Sequence, residues 1–229
     1  MKISIVIPTL NEEEGIGATL DSINMKEFEK RGHEVEMLIV DGNSKDRTRE
    51  IAEEKGAKVI IEPRKGYGRA YKTGFKEAKG EIIVTGDADG TYPFNIAHEY
   101  VDMLLEQNLD FITTNRFANL EKGAMSSKHR LGNFILSATL RILYRVKIKD
   151  SQSGMWIFRK EALKKLKDLE EFDDGMPFSE EIKIEMFTHP GIKAKEVPSH
   201  LFERKGKAKI ESFGDGWKNL KFLIRNRWK

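Results

Sequence analysis

The chain has 229 residues, 39% of them hydrophobic and 34% charged. That is enough apolar material for a core and excludes a wholly disordered chain, and the length fits one sizeable domain with or without an appendage. The formal net charge of +3 conceals a partition: residues 116–149 set eight Lys/Arg against Glu121 and residues 204–229 set nine against Glu211 and Asp215, so each segment carries +7 and the remainder −11.

Two basic segments on an acidic body predict an anionic partner for the basic parts and a cation for the acidic part. Cysteine is absent, which excludes disulfide scaffolds, thiolate metal sites and cysteine nucleophiles and makes an intracellular setting the default. The opening apolar run stops at Pro8 and Asn11, too short for a signal segment, and no run approaches the ~20 apolar residues that span a bilayer.

In chain order, β-branched runs at 3–7, 35–40, 59–61 and 82–85 predict four strands. Helical patterns at 13–23 and 47–55 lie between them, the second entered through Asn43-Ser44 as its N-cap. Strand–helix alternation predicts parallel strands covered on both faces, with the ligand beyond their carboxyl ends. Those ends are residues 8–12, 41–44, 62–66 and 86–90. A helix is expected from Tyr92-Pro93 to about Gln107, then a strand over 110–114 and a long helix over 131–146 that is apolar on most sides. A strand near 155–158 and helices near 160–169 and 179–187 follow. The tail, 213–229, reads as an amphipathic helix with apolar residues at 213, 217, 220 and 224 and basic ones at 218, 221, 225 and 229.

The sharpest chemical signal is Gly86-Asp87-Ala88-Asp89-Gly90. Two carboxylates one residue apart, released from a buried strand into a glycine-flanked turn, can reach one hard cation such as Mg²⁺ or Mn²⁺ and leave positions for diphosphate oxygens. The competing reading, an acidic turn, is weakened by the placement after the fourth strand. Asp41 at the end of the second strand can accept from a base or ribose, or cap its own turn. Pro8-Thr9-Leu10-Asn11-Glu12 stands where a dinucleotide fold carries Gly-x-Gly-x-x-Gly, and no Walker A loop occurs, so a nucleotide here is held without a glycine cradle. The five histidines are scattered without ligand spacing.

The ordered set Val6-Ile7-Pro8-Thr9-Leu10-Asn11-Glu12, Val40-Asp41-Gly42-Asn43-Ser44-Lys45-Asp46-Arg47-Thr48, Arg64-Lys65-Gly66-Tyr67-Gly68-Arg69-Ala70, Gly86-Asp87-Ala88-Asp89, Asn115-Arg116-Phe117 and Asp150-Ser151-Gln152-Ser153-Gly154 resembles family 2 glycosyltransferases. Within them it is similar to the dolichyl-phosphate mannose synthase branch, which also holds polyprenyl-phosphate glucosyl- and N-acetylglucosaminyltransferases. The resemblance covers the chain from Lys2 to about Trp217. It implies an α/β fold of GT-A type, a mixed nucleotide-sugar-binding sheet flanked by helices, over 1–212, with 213–229 as a basic C-terminal helix for a membrane surface.

By resemblance, Pro8, Leu10, Glu12 and Asp41 match the base and ribose pocket, Asp87, Asp89 and Thr91 the metal and diphosphate site, and Arg204 with Lys205 a late loop closing over the donor. Arg116, Arg130 and Asn133 match the acceptor-phosphate site, and Asp150 is an acceptor-orienting residue or base, with Glu180 or Glu181 as an alternative. The catalytic set is thus Asp89, Arg116, Arg130 and Asp150. Gly42 departs from the usual Asp-Asp pair, and Thr91 from the usual neighbour of the metal site.

The implied reaction moves a hexose, mannose before others, from a nucleoside diphosphate to dolichyl or polyprenyl phosphate, with inversion and with Mg²⁺ or Mn²⁺. UDP-glucose or UDP-N-acetylglucosamine as donor, or a sugar-nucleotide-binding protein without turnover, are the alternatives. A pyrophosphorylase lacks its glycine-rich loop here, and no nucleic-acid motif is present. The expected location is peripheral, on the cytoplasmic face of a membrane.

Overall fold

The computed structural model describes residues 1–121, 123–206 and 212–228. Lys229, assigned above to the basic face of the tail, lies outside the described residues, as does the stretch 207–211 that precedes the tail helix. Strands β1 (Lys2–Thr9), β2 (Glu34–Asp41), β3 (Lys58–Ile61) and β4 (Ile82–Thr85) fall where the β-branched runs predict them. β5 (Phe111–Leu120), β6 (Trp156–Arg159) and β7 (Ala194–Leu201) complete one seven-stranded sheet of order β3-β2-β1-β4-β6-β5-β7. The first four strands are parallel, while β6 runs antiparallel between β4 and β5. The sheet is therefore mixed.

Both faces are covered, and the two-residue period of β1 divides its side chains between two cores. Ile3, Ile5 and Ile7 join Ile16, Leu20, Phe28, Tyr100 and Leu104 on one side. Val6 joins Tyr71, Phe75, Trp156, Phe158 and Phe178 on the other. The covering helices are α1 (Ile16–Asp21), α2 (Met25–Lys30), α3 (Thr48–Glu54), α4 (Tyr67–Glu77), α5 (Ala97–Glu106) and α7 (Phe178–Thr188), while α6 (Ser127–Tyr144) packs through Leu136 and Leu140 in a third cluster with Ile184 of α7.

Local expectations differ from the structure at several places, each for a physical reason. Residues 160–169 are not an α-helix but a 3₁₀ segment, Lys160–Lys165, with a second over Leu169–Glu171; Lys160 is drawn back to the sheet, its backbone N–H donating to the carbonyl of Glu81. The helix over 47–55 is not capped by Asn43-Ser44: the Ser44 hydroxyl turns to Asp41, and the Asp46 carboxylate accepts from the Thr48 N–H at 3.1 Å. Helix α2 and strand β7 carry too little periodicity to announce themselves, and tertiary packing forms them. α4, absent from the elements expected above, does carry a helical period: Tyr67, Ala70, Tyr71 and Phe75 fall on one face and join the second core.

The tail is α8 (Ser212–Arg227), and it docks on α6. Leu223 is fully buried with Leu136 and Leu140, the Tyr144 hydroxyl donates to the Leu223 carbonyl at 2.9 Å, and Arg227 Nε donates to the Leu143 carbonyl at 2.9 Å. The docked side of the helix is the Asn219–Leu223 side. Trp217, Ile224 and Trp228 face outward at 58, 50 and 80% exposure. Leu131, Phe134, Ile135 and Ile142 of α6 are also exposed, so two packed helices present apolar side chains beside Lys128, Arg130, Lys218, Lys221 and Arg225. Among the described residues no helix is long and apolar enough to cross a membrane.

Candidate active site

The carboxyl ends of β1, β2 and β4 meet in one place because of register. Thr9 pairs with Asp41 and Val6 with Thr85, so the segments that follow, 8–12, 41–44 and 86–90, leave the sheet side by side. Gly15 lets the start of α1 lie against the acidic turn: a Cβ there would stand 2.6 Å from the Ala88 carbonyl oxygen.

Asp41 is fully buried and organises its own turn. It accepts from the Ser44 N–H at 2.9 Å, from the Ser44 hydroxyl, and from the Thr9 hydroxyl at 3.3 Å, with Arg49 3.8 Å away. Both its oxygens are engaged, so in this arrangement it fixes the turn that follows β2. Leu10, next to Pro8, is 48% exposed.

Asp89 is buried and already well supplied with donors. Its Oδ1 accepts from the Thr91 hydroxyl at 2.7 Å and the Thr91 N–H at 3.1 Å, and its Oδ2 from Arg204 Nη1 at 2.6 Å. The same guanidinium reaches Glu12 Oε1 through Nη2 at 2.9 Å, and the Lys205 N–H donates to the Asp89 carbonyl at 2.8 Å. Thus β1's end, the β4 turn and the 202–206 segment are joined by one arginine. Asp87 is different: among the described residues its carboxylate accepts a single, long hydrogen bond, 3.4 Å from the Tyr67 hydroxyl. Burial, and then the neighbouring Asp89, push its carboxyl up to about 7, against the pull of Arg116 and Arg204.

A carboxylate raised in this way marks a site short of positive charge, and the donors are hard oxygens, so the pair fits a hard divalent cation. Among the described residues no group of three or more His, Asp or Glu side chains could hold a metal. A cation at Asp87 and Asp89 would therefore complete its shell with oxygens from elsewhere, as diphosphate and water provide.

On the other side of β4, Arg116 of β5 and Asp150 form a buried two-pronged pair. Nε and Nη2 of Arg116 donate to Asp150 Oδ2 and Oδ1 at 2.8 and 2.9 Å, and the Arg116 N–H donates to Oδ2 at 3.0 Å. Burial opposes both charges, and each partner outweighs it: Arg116 is raised and Asp150 lowered. Such a pair is geometrically specific, and removing one member strands a buried charge. The field of Arg116 reaches Asp87, so the two halves of the site share one electrostatic environment.

Not every expected residue joins this cluster. Arg130 is exposed in the first turn of α6, and Asn133 Nδ2 donates to the Met125 sulfur at 3.7 Å; among the described residues no hydrogen bond links either to Arg116. Glu180 is wholly buried beside the 150–154 turn, while Glu181 ties to Lys167 and the Asp173 N–H. Residue-by-residue reading missed Tyr67, although it lies inside a quoted motif, and Tyr92, whose hydroxyl accepts from the Gly154 N–H at 2.6 Å. It also missed Lys183, which donates to the Ser151 and Ser153 carbonyls, and Glu196, which accepts from the Lys149 and Asp150 N–H groups at 2.7 and 2.8 Å. These come from α7 and β7, distant in sequence and without a linear signal.

Comparison with known proteins agrees with this geometry. The pattern described as Glycosyl transferase family 2 matches residues 4–167. The chain belongs to that family. As a family 2 glycosyltransferase it is 34% identical over 228 residues to the low-salt glycan biosynthesis hexosyltransferase Agl6 of Haloferax volcanii, covering 98% of this chain and 53% of that protein. The chain thus spans about half the length of that relative. It is 31% identical over 216 residues to the dolichyl-phosphate hexose transferase of the same organism, covering 93% of this chain and 89% of that one. In structure it is similar to glucosyl-3-phosphoglycerate synthase from Mycobacterium tuberculosis in complex with UDP, with a TM-score of 0.77 at 20% identity, over 99% of this chain and 80% of that one. This family 2 glycosyltransferase has the GT-A type of fold.

Proposed function

We propose that the protein transfers a hexosyl unit from a nucleoside diphosphate sugar to dolichyl or polyprenyl phosphate, with inversion. The observation that carries this is the juxtaposition of an acidic Asp87–Asp89 turn with a buried, ionised Arg116–Asp150 pair at one end of the sheet. One half suits a cation and a diphosphate, the other an anionic acceptor. The similarity to a dolichyl-phosphate hexose transferase over most of both chains supports the acceptor class, and solved relatives of the same fold hold Mn²⁺ or Mg²⁺ with UDP.

Asp87 and Asp89, with Thr91 behind Asp89, would hold the Mg²⁺ or Mn²⁺, which would supply neutralisation of charge on the leaving diphosphate. Pro8, Leu10, Glu12 and Asp41 line the nucleoside side, and Arg204 and Lys205 close over the diphosphate. A phosphate monoester has its second pKa near ~6 and is largely dianionic at neutral pH, so it attacks without a strong base. Its oxygen forms the new bond to the anomeric carbon as the bond to the diphosphate breaks, the electron pair leaving with the nucleotide; a single displacement inverts the centre. Arg116 attracts and orients the dianion while Asp150 fixes the guanidinium, with Arg130 and Asn133 further along the acceptor path. Residues 1–212 form the catalytic unit. The outward faces of α6 and α8, apolar and basic, bring it to an anionic membrane surface on the cytoplasmic side.

The experiment is a transfer assay with Mg²⁺ or Mn²⁺ and a short polyprenyl phosphate, using GDP-mannose first and UDP-glucose and UDP-N-acetylglucosamine in parallel. Transfer from one donor, lost by at least about 10²-fold in Asp89→Ala, is the expected result. No transfer from any donor overturns the reading.

A further inference from the structure

Among its described residues, α8 contributes one buried polar side chain to its contact with the body. Asn219 is 3% exposed on the side of the helix that also carries the fully buried Leu223. An amide in such a place loses its hydration and stays only with compensating bonds. Asn219 Nδ2 donates to Gln152 Oε1 at 2.9 Å, and Gln152 Nε2 in turn donates to Glu180 Oε1 at 2.5 Å and to the Ser151 hydroxyl at 2.9 Å. One glutamine therefore joins α8, α7 and the 150–154 turn.

The turn is the one that presents Asp150. The Gln152 N–H donates to Asp150 Oδ1 at 3.2 Å, and that oxygen also receives Arg116 Nη2. An unbroken series of bonds thus runs from α8 to the guanidinium: Asn219, Gln152, Asp150, Arg116. Other elements hold the remaining turn atoms. Ser137 of α6 accepts from the Ser151 N–H at 2.9 Å, and Lys183 of α7 donates to two carbonyls. Among the described residues, the Asn219–Gln152 link is the contribution of α8.

This network is not arranged for stability alone. Glu180 Oε2 and Asn219 Oδ1 are buried and accept from no described donor. A half-satisfied buried network is less stable than apolar side chains of the same size, yet it specifies one position in a way that apolar contacts do not.

We propose that Gln152 is a positioning residue for the Asp150–Arg116 pair, and that α8 sets it through Asn219, so that an anionic lipid surface engaging the outer face of α8 is transmitted to the acceptor half of the site. This rests on the function proposed above for the pair and for the outer face. The bland alternative, that Asn219 merely fills space, predicts no local link between α8 and the turn.

The test is hydrogen–deuterium exchange on the full chain, read at the amides of Ser151, Gln152 and Gly154, with and without vesicles of phosphatidylcholine and phosphatidylglycerol. The variants are Asn219→Leu, Gln152→Met and the double variant. The expected result is slower exchange at the turn when vesicles bind the wild type. Each single variant should exchange about five- to tenfold faster there, as one lost hydrogen bond implies. The double variant should be no faster than Gln152→Met alone, the mark of a shared link. In all three the vesicle response should vanish while vesicle co-sedimentation persists. Unchanged exchange at the turn in the variants overturns the proposal, as does faster exchange spread evenly over the chain with a lowered melting temperature. Exchange that ignores vesicles which do co-sediment with the wild type overturns the transmission. Failure of the wild type to co-sediment overturns the membrane reading instead, and the positioning role is then decided by the variants without vesicles.

Discussion

At the scale of single residues, the site is governed by which charges are compensated. Asp150 and Arg116 are each other's main partner, and a buried pair loses about 3–5 kcal/mol when one member is removed. Asp150→Asn should therefore lower stability by an amount of that order in thermal or urea unfolding, and lower transfer as well, since Arg116 loses its orienting partner. Asp150→Ala with a comparable loss of stability but unchanged transfer would remove Asp150 from the mechanism.

Glu180 offers a test in pH. Burial raises its carboxyl from 4.5 to about 8, with only Gln152 and Lys183 opposing the shift. As pH rises from 4.5 towards about 8, the unfolded chain ionises this group and the folded chain does not, so stability falls over that window. Lys183, lowered by burial from 10.5 to about 7 among Asp150, Arg116, Glu180 and Glu196, acts oppositely: its contribution is lost as pH falls from 10.5 towards about 7. Glu180→Gln isolates the first effect because Lys183 is retained. The variant should match the wild type below the ordinary glutamate range and gain on it steadily up to about 8, read as the difference in melting temperature across pH.

At the scale of elements, legibility followed hydrophobic period. The bounds of β1 to β4 could be read within a residue or two: β1 and β4 are buried parallel strands that need apolar residues on both faces, and β2 and the edge strand β3 keep a β-branched run although their burial is partial. The 160–169 segment misled because Lys160, Ala162, Leu163 and Leu166 have helical spacing, while the chain is pulled short by its contact with Glu81. The tail was read correctly as a helix, but its apolar residues at 217 and 224 face outward and the Asn219–Leu223 side is the one that docks. Leu223→Ala should cost about 2–5 kcal/mol, as for a fully buried leucine, measured by chemical denaturation. A change below ~0.5 kcal/mol, the level of ordinary surface substitutions, would mean that α8 is not held on α6.

For the whole molecule, the near-neutral net charge is a sum over regions of opposite sign. The acidic turn at the ends of the parallel strands and the basic α6–α8 pair lie in different parts of one fold, an arrangement that suits the transfer proposed above. Trp217→Glu, Ile224→Glu and Trp228→Glu combined should abolish co-sedimentation with anionic vesicles and leave the melting temperature nearly unchanged, because these side chains contribute little to the core. Binding by the wild type should weaken as salt is raised. Full vesicle binding by the triple variant would show that this face is not the membrane contact.

The amino-acid sequence by itself determined the fold class, the four leading strands, the acidic turn and the order of motifs that places the chain among family 2 glycosyltransferases. It could do so because those features are local: a strand needs a run of apolar residues, and an Asp-x-Asp turn needs only its neighbours. Tertiary structure alone decided that Asp150 clasps Arg116, that Arg204 bridges Glu12 and Asp89 across 192 and 115 residues of chain, and that Asn219 reaches the turn of Asp150. Those links depend on register, crossover and helix docking, and burial then makes each bond count by removing the water that would otherwise replace it.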